Sequence, residues 1–441
     1  MENGTKTEMT TSEKALMMHE KWNGKLETVS KSPVKSREDL AIAYTPGVAE
    51  PCKVIAGDKE AAYKYTMKAN TVAVVSDGSA VLGLGNIGPH AAMPVMEGKA
   101  VLFKEFGGVN AVPICLDTQD TEEIIKAVSW LAPAFGGINL EDISAPRCFE
   151  IEERLKEILD IPVFHDDQHG TAVITGAAFL NACEIAGRKP ADCKVVVSGA
   201  GAAGIACCNF YVALGVDPKN VYMFDSKGLI WKGRTDLNEY KARYAQDKNC
   251  TLADAMKGAD LFLGLSVKGL VSKDMAKSMA KDPVIFACAN PEPEITYEDA
   301  KEARPDCIMG TGRTDYPNQI NNVSGFPFLF RGTLDVGATD INEAMKIAAA
   351  RALAALAHEP VPAEVEKAYG GQKFSFGPDY VIPKPFDPRL IEWVTPAVAK
   401  AAMDSGIAAR PIADLAAYKL GLSERVKKAR ERAAALYKSY L

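Results

Sequence analysis

Short apolar runs rich in β-branched residues alternate with amphipathic stretches from Asp39 to Glu184. Thr71 to Ser76 and Val109 to Leu116 have the pattern of strands, whereas Thr121 to Leu131 repeats its apolar positions at helical spacing. Alternation of this kind predicts an α/β layered unit. Further on, Lys194 to Ser198, Val221 to Phe224, Ala259 to Leu265 and Pro283 to Ala289 are apolar nearly throughout, which suits parallel strands covered on both faces. Gly187-Arg-Lys-Pro190 interrupts a helical stretch just before them and marks a boundary near residue 185. Beyond Phe330 the periodicity is helical, most clearly in alanine-rich Asn342 to His358, and a proline- and glycine-rich segment follows from Gly370 to Pro388. At the other end the chain begins as a polar tail, and Ser12 is the expected cap of a helix that runs to His19. The organisation predicted is an α/β domain over residues 15–185, a second α/β domain over 186–420 and a C-terminal helix over 421–441.

Bulk properties narrow the function more than the fold. A chain of 441 residues exceeds what one ordinary core supports, and 47% apolar with 24% charged residues is a globular composition. The net charge of -6, with no basic block beyond Arg425 to Arg432, argues against nucleic acid as a main partner. The ten cysteines form no Cys-x-x-Cys pair, so free thiols in a reducing compartment are expected rather than structural zinc or a disulfide framework. Met1 to Lys14 lacks the apolar core of a signal peptide, and no run approaches the length of a membrane span. A cytoplasmic protein with no membrane partner is the expectation.

Two segments match the glycine pattern of dinucleotide-binding turns, Gly83-Leu-Gly85-Asn-Ile-Gly88 and Gly199-Ala-Gly201-Ala-Ala-Gly204. Binding a pyrophosphate requires a strand, a turn tight enough to need glycine, and a helix whose first amides face the anion. The second match has Val195 to Val197 before it, a helix-compatible Ala202 to Leu214 after it, and Asp225 closing the next apolar run where a ribose hydroxyl would be met. The first runs into Pro89 and Pro94 and reads as a structural or substrate-side turn. Asp225 favours a free 2′-hydroxyl, while Lys227, Lys232 and Arg234 suit a 2′-phosphate, so these residues leave NAD and NADP both open.

Two acidic doublets, Glu141-Asp142 and Asp166-Asp167, are flanked by apolar residues and turn-formers instead of lying on a charged helix face. Carboxylates held at the edge of a core are costly, and a hard cation such as Mg²⁺ or Mn²⁺ offsets that cost. His165 and His169 are an alternative transition-metal pair, against which Gly170 weakens a helical i, i+4 arrangement. Tyr44, at a turn in Tyr44-Thr-Pro-Gly-Val48, and Lys99, in an apolar stretch, are candidates to donate and accept protons.

Tyr44-Thr-Pro-Gly-Val-Ala49, Gly83-Leu-Gly-Asn-Ile-Gly88, Met96-Glu-Gly-Lys99, Gly137-Ile-Asn-Leu-Glu-Asp142, Phe164-His-Asp-Asp-Gln-His-Gly-Thr-Ala172 and Asn321-Asn-Val323 together resemble the malic enzyme family, small bacterial type, from about Ser32 to Ile412. The resemblance implies an N-terminal α/β substrate domain, a Rossmann-type doubly wound dinucleotide-binding domain and C-terminal helices. It also implies metal-dependent oxidation and decarboxylation of (S)-malate to pyruvate and CO₂ with reduction of NADP or NAD, and decarboxylation of oxaloacetate. By the same likeness Glu141, Asp142 and Asp167 are metal ligands, Lys99 is the general base with Asp166 tuning it, and Tyr44 is the general acid. Gly199, Ala200, Gly201, Ala202, Ala203 and Gly204 would cradle the pyrophosphate, and Asn290 and Asn321, with Asn322 as a further candidate, match positions near nicotinamide and substrate.

Ala80 stands where larger members carry an arginine that grips a malate carboxylate, so carboxylate recognition is expected from other groups. With Leu441 as the last residue read, the phosphotransacetylase-like extension of some relatives is not expected. Asp225-Ser-Lys-Gly228 is similar to NADP-using members, and the family's assembly implies a homodimer or higher homo-oligomer. The competing readings are a 2-hydroxy acid dehydrogenase that does not decarboxylate and a nucleotide-binding sensor without chemistry.

Overall fold

The computed structural model describes residues 9–81 and 83–437. The expected polar tail therefore falls partly outside the described residues, as do the last four residues of the expected C-terminal helix. Its first helix is Thr11–Trp22, and its cap is Thr10, not Ser12. The Thr10 hydroxyl accepts from the Glu13 amide while the Glu13 carboxylate accepts from Thr10, a reciprocal box that Ser12, already inside the helix, cannot form.

A four-stranded parallel sheet forms the first layer, in the order β2-β1-β3-β4, with β1 Thr71–Ser76, β2 Asn110–Cys115, β3 Gly137–Leu140 and β4 Val163–His165. Every residue of β1 is buried, as expected of a strand covered on both faces. A seven-stranded sheet follows, ordered β11-β10-β9-β8-β5-β6-β7. Its strands are β5 Val195–Ser198, β6 Val221–Asp225, β7 Gly228–Leu229, β8 Leu261–Gly264, β9 Val284–Ala287, β10 Ile308–Thr311 and β11 Asn318–Gln319. All its pairings are parallel except that of β6 with β7. The chain leaves β5 to one side for β6 and returns to the other for β8, which opens a crevice beyond the ends of β5 and β8 where doubly wound sheets bind ligands.

One long helix, Asp166–Ile185, joins the two sheets. Glycine at 170 does not interrupt it: a Cβ there would lie 2.0 Å from Asp166 Oδ1, so glycine makes room for a carboxylate folded back over the first turn. On its other faces a Cβ at Gly176 would come within 2.5 Å of the Phe210 ring, and Asn181 Nδ2 donates to the Ala354 carbonyl at 2.9 Å. Helix Ala202–Ala213 and helix Glu343–Leu356 are thereby packed against the same central rod.

After β11 the chain turns back toward the first sheet. Helix Phe326–Val336 lies on helix Gly88–Gly107 so closely that a Cβ at Gly107 would meet the Pro327 carbonyl oxygen at 2.7 Å. Phe103 stacks edge-on against Phe326 and Phe330, with ring centres 4.7 and 5.2 Å away. One apolar core thus runs from the first sheet through these helices to the near face of the second sheet, and a smaller one covers its far face. The last described helix spans Leu415–Tyr437, starting earlier than residue 421. Among the described residues no helix is long and apolar enough to cross a membrane.

Candidate active site

The acidic doublets are brought together by the ends of two neighbouring strands. Glu141 extends β3, its amide donating to the Val75 carbonyl at 2.9 Å, and Asp142 then turns into the left-handed region at φ 55°. Short polar side chains tolerate that region best after glycine. β4 delivers Asp166 and Asp167 to the first turn of helix Asp166–Ile185, where the exposed amides favour negative charge. The Asp142 amide donates to Asp167 Oδ2 at 2.8 Å and locks the two segments together. One carboxylate oxygen each of Glu141, Asp142 and Asp167 lies within 4.8 Å of the others.

Lys99, on helix Gly88–Gly107, enters the cluster from the other side. Its Nζ stands 2.8 Å from Glu141 Oε1 and 2.5 Å from Asp166 Oδ2, and 4.2 Å above the Phe326 ring. Burial works against the charge on Lys99, but the facing carboxylates of Asp166 and Glu141 outweigh it and raise the amine's pKa. The Glu141 carboxyl is pushed well above the usual range by burial and by repulsion from Asp167, Asp166 and Asp142, although Lys99 opposes this. Asp166 is raised for the same first reason, burial, and moderated by Lys99 and Asn322.

Both ion pairs of Lys99 go to Glu141 and Asp166, so the charge that Asp142 and Asp167 add is not offset by it. An all-oxygen donor set, with Asp167 partly open to solvent, fits a hard divalent cation that keeps positions for substrate or water. Asn322, in the short turn that follows β11, closes the arrangement: its Nδ2 is 3.2 Å from Asp166 Oδ2 and 3.3 Å from the Asp166 carbonyl oxygen.

His165 and His169 do not form a pair of ligands. His169 Nε2 donates to both oxygens of Glu152, at 2.8 and 2.9 Å, and burial pushes its pKa down to about 4. His165 Nδ1 accepts from the Gln168 amide, and its Nε2 lies 3.7 Å from Asp167 Oδ2. The rings diverge because each is committed to a separate hydrogen-bonding group. Glu152, which sequence reasoning missed, is a buried carboxylate supporting the doublet from below. Its signal was there: it falls on the apolar face that Cys148, Phe149, Ile151 and Leu155 define in helix Arg147–Ile158.

The glycine turn after β5 has three glycines for three reasons. Gly199 has φ 118°, and a Cβ there would come within 2.5 Å of the Leu265 carbonyl oxygen at the end of β8. Gly204 lets helix Ala202–Ala213 settle on the strand, because a Cβ would sit 1.8 Å from the Gly199 carbonyl oxygen. Gly201 has no described atom within 4 Å of its Cβ position and precedes a helix with no side-chain cap, leaving the amides of Ala202 and Ala203 open to an anion. Ala200, between the first two glycines, is partly buried against the core. Asn290 follows β9, and its side-chain amide lies 3.4 Å from a Cβ position at Gly312, after β10. The Gly83 turn packs against the Asn290 backbone, with its Cβ position 3.6 Å from the Asn290 carbonyl oxygen. Asn321 caps a short turn by accepting from the Val323 amide.

Asp225 stands at the end of β6 with both oxygens occupied. Oδ1 accepts from Arg234 at 2.7 Å and from the Lys227 amide at 2.9 Å, and Oδ2 accepts from Arg234 at 3.0 Å and Lys241 at 2.8 Å. Burial opposes its ionisation, but the bonds from Arg234 and Lys241 hold the carboxyl down at about 2. Lys232 turns away and pairs with Asp247. Tyr44 is 67% exposed at the end of helix Arg37–Ala43, and its hydroxyl has no hydrogen-bond partner among the described residues.

The doubly wound sheet and its glycine turn define a dinucleotide-binding protein with a carboxylate-rich site on the adjoining domain. A model of the malic enzyme N-terminal domain matches residues 23–156, and one of the malic enzyme NAD binding domain matches residues 168–367. The chain belongs to the malic enzyme family. It is 57% identical to the NADP-dependent malic enzyme of Halomonas elongata over 88% of this chain and 92% of that one. It is 55% identical to the NAD-dependent malic enzyme of Rhizobium meliloti over 90% of this chain and 52% of that one. The crystal structure of malic enzyme from Pyrococcus horikoshii superposes with a TM-score of 0.89 at 41% identity, covering 98% of this chain and 99% of that chain. This chain spans about half the length of several curated relatives it matches.

Proposed function

We propose that this protein oxidises and decarboxylates (S)-malate to pyruvate and CO₂, with reduction of NADP and dependence on Mg²⁺ or Mn²⁺. The observation that carries the reading is the convergence of Glu141, Asp142 and Asp167 beside a lysine paired to Asp166. Glu141, Asp142 and Asp167 would hold the cation, and Gly199 to Gly204 with Asn290 and Asn321 would hold the dinucleotide. When bound, the cation supplies Lewis acidity toward the substrate oxygens and the nicotinamide accepts a hydride. Lys99 takes the proton of the malate hydroxyl, and a Glu141 committed to a cation leaves Asp166 as the remaining carboxylate partner of the amine, which eases its loss of a proton. Asn322 and the clearance at Gly170 hold Asp166 in register with Lys99. Tyr44 returns a proton to C3 after CO₂ departs.

A second copy of this chain is part of the same reading. From Met9 to Asn70 no residue is buried, and Ile42, Tyr44 and Leu40 present an apolar surface on and beside one short helix. A homodimer covers that surface and gives the Tyr44 hydroxyl a site to serve. The ten free cysteines suit a cytoplasmic setting.

Incubation with malate, Mn²⁺ and NADP⁺, followed by assay for pyruvate and NADPH, tests the activity. Equal yields of the two products are expected. Oxaloacetate accumulating without pyruvate would mark a dehydrogenase that does not decarboxylate.

A further inference from the structure

The three carboxylates of the cluster are not held equally. Glu141 and Asp142 are buried, whereas Asp167 is partly open to solvent, so packing restrains its side chain least. The Asp142 amide fixes one of its oxygens, Oδ2, at 2.8 Å. Facing the same oxygen from the interior is the His165 ring, whose Nε2 lies 3.7 Å away. His165 is 0% exposed, and among the described residues its Nε2 has no hydrogen-bond partner. The other ring nitrogen is committed: Nδ1 accepts from the Gln168 amide at 3.3 Å and caps helix Asp166–Ile185. A backbone amide can only donate, so the ring carries its hydrogen on Nε2. A fully buried N–H without a partner is costly, and native interiors keep few of them.

The backbone beneath the ring is fixed twice. His165 ends β4, paired with Leu140 of β3 just before Glu141, and its amide donates to Glu152 Oε1 at 3.3 Å. Glu152 also accepts from Gln168 Nε2 at 3.1 Å and from His169 Nε2 at 2.8 Å, which ties down the turn that follows. The ring therefore stands on the sheet whose next strand leads into Glu141 and Asp142, not on the helix that carries Asp167.

We infer that His165 is a positioning residue for Asp167: its Nε2–H, aimed by β4 and by the cap, closes on Oδ2 and leaves Oδ1 as the oxygen offered to a divalent cation. The role rests on the cation-binding reading of Glu141, Asp142 and Asp167, and extends it to a residue that touches neither cation nor substrate. The 3.7 Å separation is about 0.7 Å longer than a good N–H···O bond, a gap that a small turn of the partly exposed Asp167 side chain closes.

Two substitutions separate this role from the structural one. His165→Asn keeps an oxygen near the backbone that can cap the helix but has no donor at the reach of Nε2. His165→Gln keeps a donor at that reach and loses the cap. Mn²⁺ binding to the intact protein is followed by electron paramagnetic resonance, without malate or nucleotide. It should weaken roughly ten- to hundredfold in the Asn protein, the usual share of a group that orients a metal ligand, and less than about threefold in the Gln protein. The Gln protein should nevertheless melt at the lower temperature, and circular dichroism checks both folds. In the wild type, labelled with ¹⁵N at its five histidines, the ring signal that is lost in the Gln protein should be of the Nε2–H form. Its Nε2 proton should move downfield when Mg²⁺ is added, a readout that still decides if the Asn protein does not fold. A ring of the Nδ1–H form, no response to Mg²⁺, unchanged Mn²⁺ affinity in the Asn protein or equal losses in the two variants overturns the inference and leaves the proposed activity standing. A wild type that binds no Mn²⁺ removes the cation site and this role with it. The expected contrast between variants in a protein that does not oxidise malate removes the activity and keeps the role.

Discussion

The carboxylate cluster and the glycine turn sit in the same molecule but are built on opposite principles. The glycine turn is made by one contiguous stretch, β5 through helix Ala202–Ala213, and its working parts are backbone amides and missing side chains. The cluster is made by side chains from four separate stretches, around Lys99, Glu141, Asp166 and Asn322, which meet only because two parallel strands end side by side and a helix returns from the far domain. A site of the first kind is damaged by adding an atom. A site of the second kind is damaged by removing one, and each of its members depends on packing that lies elsewhere.

The contrast can be broken at either end. Lys99→Ala should cost most, about two to four orders of magnitude in kcat, the usual contribution of a positioned proton-transfer group. NADP⁺ binding measured by titration should survive it, and turnover within a few-fold of wild type would remove Lys99 from the chemistry. Asp142→Asn keeps a residue that tolerates the left-handed backbone while deleting a charge, so folding should be preserved and the Mn²⁺ needed for half-maximal activity should rise by at least about tenfold. A superimposable metal titration would disqualify Asp142 as a ligand.

On the other side, Gly204→Ala introduces one methyl group 1.8 Å from a carbonyl oxygen that has no flexible end to move. It should cost about 1–3 kcal/mol of stability or nucleotide affinity, read from the melting temperature and NADP⁺ titration, while Mn²⁺ binding followed by electron paramagnetic resonance stays as it was. An unaffected variant would mean that the helix does not rest on the strand as tightly as described. The smallest effect belongs to Asn322→Ala. Loss of its bonds to Asp166 is worth about 1 kcal/mol, a fall of roughly five- to tenfold in kcat with little change in the NADP⁺ constant. A change confined to KM for NADP⁺ would instead reassign Asn322 to the nucleotide side.

Legibility in the sequence follows the same division. The buried strands β1, β5, β8 and β9 were visible because a strand covered on both faces leaves an uninterrupted apolar run, and the turn after β5 was visible because its constraints are local. The acidic doublets were legible as misplaced charge and as motifs of a family. The start of helix Asp166–Ile185 was obscured by Gly170, whose purpose is to clear Asp166 Oδ1, a contact invisible without the folded turn. Glu152 was hidden within an otherwise ordinary amphipathic helix, since its partner His169 lies seventeen residues away. Thr10 outranked Ser12 as a cap because only the hydroxyl three residues before Glu13 can complete the reciprocal box.

By itself, then, the order of residues determined the strands, the pyrophosphate turn and the set of titratable groups available for chemistry, because each depends on a few neighbours along the chain. The tertiary structure alone decided that Glu141 faces Lys99 together with Asp166 and that Asp225 spends its charge on Arg234 and Lys241. Those outcomes depend on distances between segments tens to hundreds of residues apart, and such distances are set by how sheets and helices pack, not by any local rule.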